Sequence, residues 1–396
     1  MNMQSQIRYD FFAPRQIIFG WGRRREVGTL GRVLGRRAFL VSGLPAETAA
    51  TVVTEIAEIL RKADIEPTPV ATILHEPEVQ DVDRLSGELR DLGAAGGDFL
   101  LGIGGGAAID LAKAVAAMAV NRESPTVKDY LEGVGRGLVL REPPLPVLAM
   151  PTTAGTGAEA TRNAVISCYD PPFKKSLRGL RILPQIALVD PELTVSVPPA
   201  VTAASGMDAI TQLIESYISR KAQPIARALA IHGLGLALPA LAEAVADGRS
   251  RGAREHMSHA ALLSGLALAN SGLGLAHGVA AALGTHCRVP HGLACAVMLP
   301  AALRVNRSVR TAELASLGRQ VLRLHTAMPD EEAVDRFLNE IDVLCRGVGL
   351  PQRLRPLGVR REQIPALVRD SRGSSMSGNP RELSDDELTQ ILEEML

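Results

Sequence analysis

The sequence lacks a CxxC cysteine pair, an excess of charge of either sign and a long apolar run, and each absence removes a class of protein. Its four cysteines, Cys168, Cys287, Cys295 and Cys345, are too few and too scattered for a disulfide framework and suit buried thiols in a reducing cytoplasm. Lys+Arg and Asp+Glu number 43 each, so no net field draws nucleic acid or an anionic membrane, and a small-molecule partner is expected instead. No stretch approaches about 18 uninterrupted apolar residues, and the opening MNMQSQIRYDFFAPRQ is polar where a signal peptide needs an apolar centre. The chain is therefore expected to be cytoplasmic and not membrane-spanning. It has no internal repeat or low-complexity segment.

What the sequence does have is two patterns in succession. At 396 residues it exceeds what one hydrophobic core normally serves, so two domains are expected. Up to about residue 190, short apolar runs (Arg37–Ser42, Pro69–Leu74, Asp98–Gly102, Leu145–Met150 and Gln185–Val189) alternate with amphipathic segments such as Glu47–Lys62 and Asp81–Leu92. That alternation predicts an α/β domain with a mainly parallel sheet. From about Pro198 the strand signals stop and long Ala/Leu-rich segments of helical period take over, which predicts an all-α second half. The expected division is 1–195 and 196–396, near DPELTVSVPP. Asp370–Pro380 reads as a loop before a final helix opened by a capping box at Ser384.

Two turns carry candidate binding chemistry. DFLLG runs into Ile103–Gly104–Gly105–Gly106 and then a helix starting near Ala107, an arrangement that brings backbone N–H groups and a helix N-terminus to a pyrophosphate, or that merely makes a tight strand-to-helix turn. Four threonines and two glycines in PTTAGTGAEAT follow the strand LPVLAM; they form a polar ledge at a sheet's carboxyl end or a loop that satisfies its own backbone. Farther on, Asp208 and Gln212 share one helix face, and His277 and His291 follow. An oxygen ligand with imidazoles suits Fe²⁺ or Zn²⁺, but spacing alone equally allows capped helices and core histidines.

The segments PTTAGTGAEATRNAVI, SGMDAITQLIES, SGLGLAHGVAAALG and VPHGLACAVMLP, with PRQIIFGWG and NPRELSDDELTQIL at the two ends, resemble the iron-containing alcohol dehydrogenases in order over essentially the whole chain. The resemblance implies an N-terminal dinucleotide-binding domain, a helical C-terminal domain in a dehydroquinate-synthase-like architecture, and an active site between them. Carried over by position, it assigns Gly104, Gly105, Gly106, Asp110 and Lys113 to the pyrophosphate segment, with Ala107 where the family has serine. Thr152, Thr153 and Thr156 would line the cofactor groove, and Lys174, or its neighbour Lys175, would reach the nicotinamide ribose.

The implied metal ligands are Asp208, Gln212, His277 and His291, with Asp208 and His277 at the reacting centre. Gln212 replaces a histidine, which predicts a loosely held metal that Gln212→His would retain better. Ala281 stands where many members have a second histidine for proton transfer. Gly43 occupies the place of an aspartate that binds the adenosine ribose, so NADP is expected alongside NAD, with Gly43→Asp shifting preference towards NAD. The implied activity is hydride transfer between NAD(P)H and a small alcohol, aldehyde or ketone, in a dimer or larger homo-oligomer. Alternatives are a metal-independent reductase similar to maleylacetate reductases, a dehydroquinate-synthase-like lyase, or a non-catalytic cofactor-binding protein.

Overall fold

A computed structural model describes residues 7–396; residues 1–6, where the N-terminal reading begins, lie outside the described residues. The first half contains β1 (Gln16–Phe19), α1 (Val27–Arg32), β2 (Arg37–Ser42), α2 (Ala46–Lys62), β3 (Glu66–Thr72), α3 (Val79–Asp91), β4 (Asp98–Gly104), α4 (Gly106–Val120), β5 (Val147–Pro151), β6 (Asn163–Tyr169), β7 (Pro172–Arg178) and β8 (Ile186–Val189). The second half contains α5 (Pro199–Ile218), α6 (Pro224–Ala246), α7 (Arg251–Ala269), α8 (Leu275–Cys287), α9 (His291–Val321), α10 (Asp330–Gly347), α11 (Ile364–Asp370) and α12 (Asp385–Glu394). Ser384 and Glu387 close the expected capping box on α12.

Six strands form one parallel sheet in the order β1-β8-β5-β4-β2-β3. Every residue of β4, β5 and β8 is buried, as expected of strands covered on both faces. β3 lies at an edge, begins three residues earlier than its apolar pattern, and carries Pro67 and Pro69, which an edge tolerates because one side of the backbone needs no ladder partner. Two features were not legible in the sequence. β1 is only four residues long and owes its form to pairing with β8, while β6 and β7 make a separate antiparallel hairpin.

The strand order fixes where a ligand can sit. β2 leads outward to β3, whereas β4 returns on the other side of β2 and leads to β5, so a crevice opens at the carboxyl ends of β2 and β4. Gly43 and Gly104 meet there: a Cβ on Gly104 would lie 2.8 Å from the Gly43 Cα and from its backbone nitrogen. Any larger residue at Gly104 would force the two turns apart.

In the second half, α5 is buried along nearly its whole length after the first turn. α6 is long and apolar enough by composition to cross a membrane, yet Ala226, Ala230, Leu234, Ala237 and Leu241 are buried and it packs on α5, α7 and α9 inside the helical core. The two halves touch where the threonine-rich loop meets α7. Gly157 there has φ +61°, and a Cβ on it would lie 2.5 Å from the Gly265 Cα. Gly157→Ala therefore brings both a strained backbone and a clash, and it is expected to destabilise the protein by about 2 kcal/mol or more in denaturant unfolding. An unchanged unfolding midpoint would show that the loop and α7 separate freely.

Candidate active site

Three helices of the second half supply the charged centre. Asp208, Gln212 and Glu215 lie along α5, His277 is in the first turn of α8, and His291 opens α9 after Pro290. Asp208 and His277 are 2% and 4% exposed. The His277 Nε2 lies 3.3 Å from Asp208 Oδ1, the His291 Nε2 lies 4.0 Å from the same oxygen, and the two imidazole rings are 5.6 Å apart. On the other side, His277 Nδ1 lies 2.7 Å from Glu215 Oε2. Glu215 also accepts the backbone N–H groups of Gly274 and Ala276, so one buried carboxylate both caps α8 and orients the ring.

With Nδ1–H donating to Glu215, the Nε2 lone pair of His277 faces a carboxylate oxygen. Asp208 Oδ1 and His277 Nε2 are both buried without a hydrogen-bond partner. Two acceptors facing each other in a dry site repel, and a proton or a metal ion must come between them. The electrostatics agree. Burial opposes charge on His277, but Cys295, Asp208 and Glu215 outweigh it and raise its pKa well above the ordinary value. Burial likewise opposes ionisation of Asp208, yet His291 and His277 hold its carboxyl below the usual range. Burial and the nearby Lys174 ammonium lower His291 to about 4, so it is neutral and able to ligate.

A cavity of about 500 Å³ connects this centre to the sheet. Of the residues singled out by sequence, Gly106, Asp110, Thr156, Lys174, Asp208, Gln212, His277 and His291 line it, as do Ala107 and Ala281. Gly105 faces Thr153 and Gly106 faces Thr156, since Cβ atoms there would lie 3.3 and 2.7 Å from the respective hydroxyls. Lys174 is on β7, with Nζ 2.6 Å from Glu76 Oε1, and it approaches the cavity from the hairpin. Lys175 also lines the cavity.

Gly43, Gly104, Gly105 and Thr153 lie about the glycine turn without lining the cavity, and two further expected cofactor residues face inward. Lys113 is fully buried, with its ammonium on the Ala158 carbonyl, the Thr161 hydroxyl and Asp110, so it braces the loop after β5 and does not reach the cavity. Thr152 is buried too, and its N–H donates to the Gly104 carbonyl. Asp110 borders the cavity but spends one oxygen on the Val165 N–H and the other on Lys113. Gly43 stands beside the glycine turn, where a Cβ would meet that of Ala108 at 2.9 Å. The Gln212 amide nitrogen is taken by the Thr156 carbonyl and the Ser264 hydroxyl.

The sequence reading missed Glu215, Glu76, Asp370 and Cys295. Glu215 was within reach, being seven residues, two helical turns, beyond Asp208 on one face of α5. Cys295 likewise follows His291 by one turn. Glu76 and Asp370 carry no such signal, because they come from a loop and a helix end distant in sequence. Asp370 lines the cavity and its Oδ2 lies 2.5 Å from His286 Nε2, which accounts for His286 without placing it in the cavity.

The comparisons with known proteins match this arrangement along the whole chain. The family model for iron-containing alcohol dehydrogenase matches residues 14–191, and that for the C-terminal part of the Fe-containing alcohol dehydrogenase family matches residues 202–396. The chain belongs to the iron-containing alcohol dehydrogenase family. It is an oxidoreductase of alcohols and aldehydes. Lactaldehyde reductase of Escherichia coli is 32% identical over 94% of this chain and 96% of its own length. The crystal structure of 1,3-propanediol oxidoreductase superimposes with a TM-score of 0.91 at 30% identity, over 98% of this chain and all of that one. Sulfoacetaldehyde reductase from Bifidobacterium kashiwanohense, solved in complex with NAD⁺, gives a TM-score of 0.85 at 30% identity, over 98% of this chain and 99% of that one.

In this dehydrogenase, Glu159 sits in the loop that Lys113 braces, and burial raises its carboxyl from 4.5 to about 7, against the opposing pull of its own backbone N–H and of Lys113. Below pH 4.5 the group is protonated folded or unfolded and costs nothing. As pH rises from there to about 7, the unfolded chain releases a proton that the folded chain keeps, so stability falls across that window. The fall amounts to roughly 3 kcal/mol at most. Glu159→Gln should flatten the profile of unfolding free energy against pH; an unchanged profile would mean that Glu159 is solvated or ion-paired.

Proposed function

We propose that this enzyme transfers hydride reversibly between NAD(P)H and a small aldehyde or ketone in the cavity between the sheet and helices α5, α8 and α9. Residues 1–195 form the cofactor-binding unit and residues 196–396 the metal and substrate unit. The observation that carries the reading is the facing pair of unpartnered buried atoms, Asp208 Oδ1 and His277 Nε2, with His291 beside them and the cavity opening onto the glycine-rich turn. Action on small alcohols and aldehydes fits the chain's relatives, and a cytoplasmic homo-oligomer is part of the same proposal. Membership of the dehydrogenase family disfavours a lyase.

The residues fit both groups that this chemistry needs. Asp208, His277 and His291 would hold Fe²⁺ or Zn²⁺, which when bound supplies Lewis-acid polarisation of the carbonyl oxygen. Glu215 fixes the His277 ring so that Nε2 faces the centre. Gly104, Gly105 and Gly106 leave room for a pyrophosphate at the start of α4, Thr153 and Thr156 flank it, and Lys174 lies within reach of a nicotinamide ribose.

Cofactor choice follows from Gly43. With no carboxylate at the end of β2, nothing repels a 2′-phosphate, so the wild-type enzyme is expected to use NADPH at least as well as NADH, as judged by kcat/KM for each. Strict NADH dependence would overturn this. Gly43→Asp is a poorer test than the sequence suggests, because its Cβ would press on Ala108 and displace the turn itself.

Proton supply follows from Ala281, which lines the cavity without a titratable group. The alkoxide oxygen must then take its proton from solvent or through the cofactor ribose. Ala281→His should raise kcat for aldehyde reduction and introduce an ionisation near pH 6 to 7, since a placed general acid contributes about 10² to 10⁴ in rate. His286→Ala should leave both unchanged; a wild-type ionisation that vanishes in His286→Ala would route the proton through His286 and Asp370 instead.

A further inference from the structure

The sequence reading expects a weak metal site because Gln212 stands in place of a histidine, but the folded chain brings another donor to the same point. Cys295, one turn beyond His291 on α9, has its Sγ 3.7 Å from His291 Nε2. The potential ligand atoms of Asp208, His277, His291 and Cys295 all lie within 4.8 Å of one another. We propose that Cys295 is the fourth protein ligand, so that this site is an Asp-His-His-Cys centre suited to Zn²⁺. The inference rests on the metal site proposed above.

Three observations support it. The distances are close to those of one coordination shell: with Zn–S about 2.3 Å and Zn–N and Zn–O about 2.0 to 2.2 Å, a tetrahedral edge is about 3.6 Å between S and N and about 3.4 Å between N and O. The chain has 3.7 Å between Cys295 and His291 and 3.3 Å between His277 and Asp208, while His291 and Asp208 at 4.0 Å would have to draw closer around a bound ion. Second, Cys295 is fully buried and does not line the cavity, so it approaches from the protein side and leaves the cavity side free, where a carbonyl oxygen would join as a fifth ligand. Third, Gln212 commits its amide nitrogen to Thr156 and Ser264, so it has only its amide oxygen left to offer a metal, a poorer donor than an imidazole or a thiolate.

A thiolate is a soft, charged ligand that suits Zn²⁺, whereas the hard ions Mg²⁺, Ca²⁺ and Mn²⁺ favour carboxylates and water. On metal binding the Cys295 thiol loses its proton to solvent and the sulfur lone pair forms the bond to the metal; nothing is oxidised or reduced. The site would therefore hold its ion firmly, contrary to what Gln212 alone suggests.

Cobalt(II) is a suitable probe because thiolate ligation gives it a near-ultraviolet sulfur-to-metal charge-transfer band separate from its visible ligand-field bands. The full-length protein is stripped by chelator, given one equivalent of Co²⁺, and compared with Cys295→Ser and Cys295→Ala, each checked for native unfolding behaviour. The expected result is both sets of bands in the wild type and loss of the near-ultraviolet band alone in the variants. Zn²⁺ affinity should fall in the variants by more than the ~10- to 100-fold that follows loss of a residue behind a ligand. Visible bands without the near-ultraviolet band in the wild type, or a band that survives in Cys295→Ser, would overturn the role of Cys295 and leave the metal site standing. Failure of the wild type to bind Co²⁺ or Zn²⁺ at all would overturn both readings. The wild-type spectrum decides the matter even if a variant does not fold.

Discussion

The contact between Glu215 and His277 constrains the rest of the site. A buried carboxylate with no partner is costly, and Glu215 avoids that cost by accepting two backbone N–H groups at the start of α8 together with the His277 ring. The same bond dictates which nitrogen of His277 faces Asp208. Once Nδ1 is committed, Nε2 and Asp208 Oδ1 confront each other in a dry space, and a cation or a proton is the only species that relieves them. The charge of the centre is thus set by a residue that need not touch the reacting atoms.

The sheet contributes position more than charge. Its strand order opens a crevice beyond β2 and β4, and the second half closes over it because the loop after β5 packs directly on α7 through Gly157 and Gly265. Asp110 and Lys113 belong to this scaffold. Their ion pair, buried under the loop, ties α4 to the loop and to the hairpin through the Ala158 carbonyl, Thr161 and the Val165 N–H. A charged pair in a binding motif can act by shaping the backbone that meets the ligand without meeting it.

Departures from the family pattern have different weights once placed in three dimensions. Ala107 and Ala281 both line the cavity, so each removes a polar group from the wall itself. Gln212 also lines the cavity, but its amide nitrogen braces the threonine loop, and the soft donor nearest the charged centre is Cys295. On the proposed ligation, the substitution that weakens the ligand set in sequence is offset by a residue one helical turn from His291.

The sequence by itself determined the alternation of the central strands and helices, the mainly parallel sheet, the helical second half and the family, because these rest on local periodicity and on long motifs in register. It marked Asp208, His277, His291, Thr156, Gly106 and Lys174, which do come together on one cavity. Tertiary structure alone decided that Lys113 and Thr152 face inward, that Glu76 meets Lys174, that a Cβ on Gly43 would press on Ala108, and that Cys295 lies within 4.8 Å of the potential ligand atoms of Asp208, His277 and His291. Each of these depends on the approach of segments far apart in the chain, and pattern along one segment holds no record of what another segment brings to meet it.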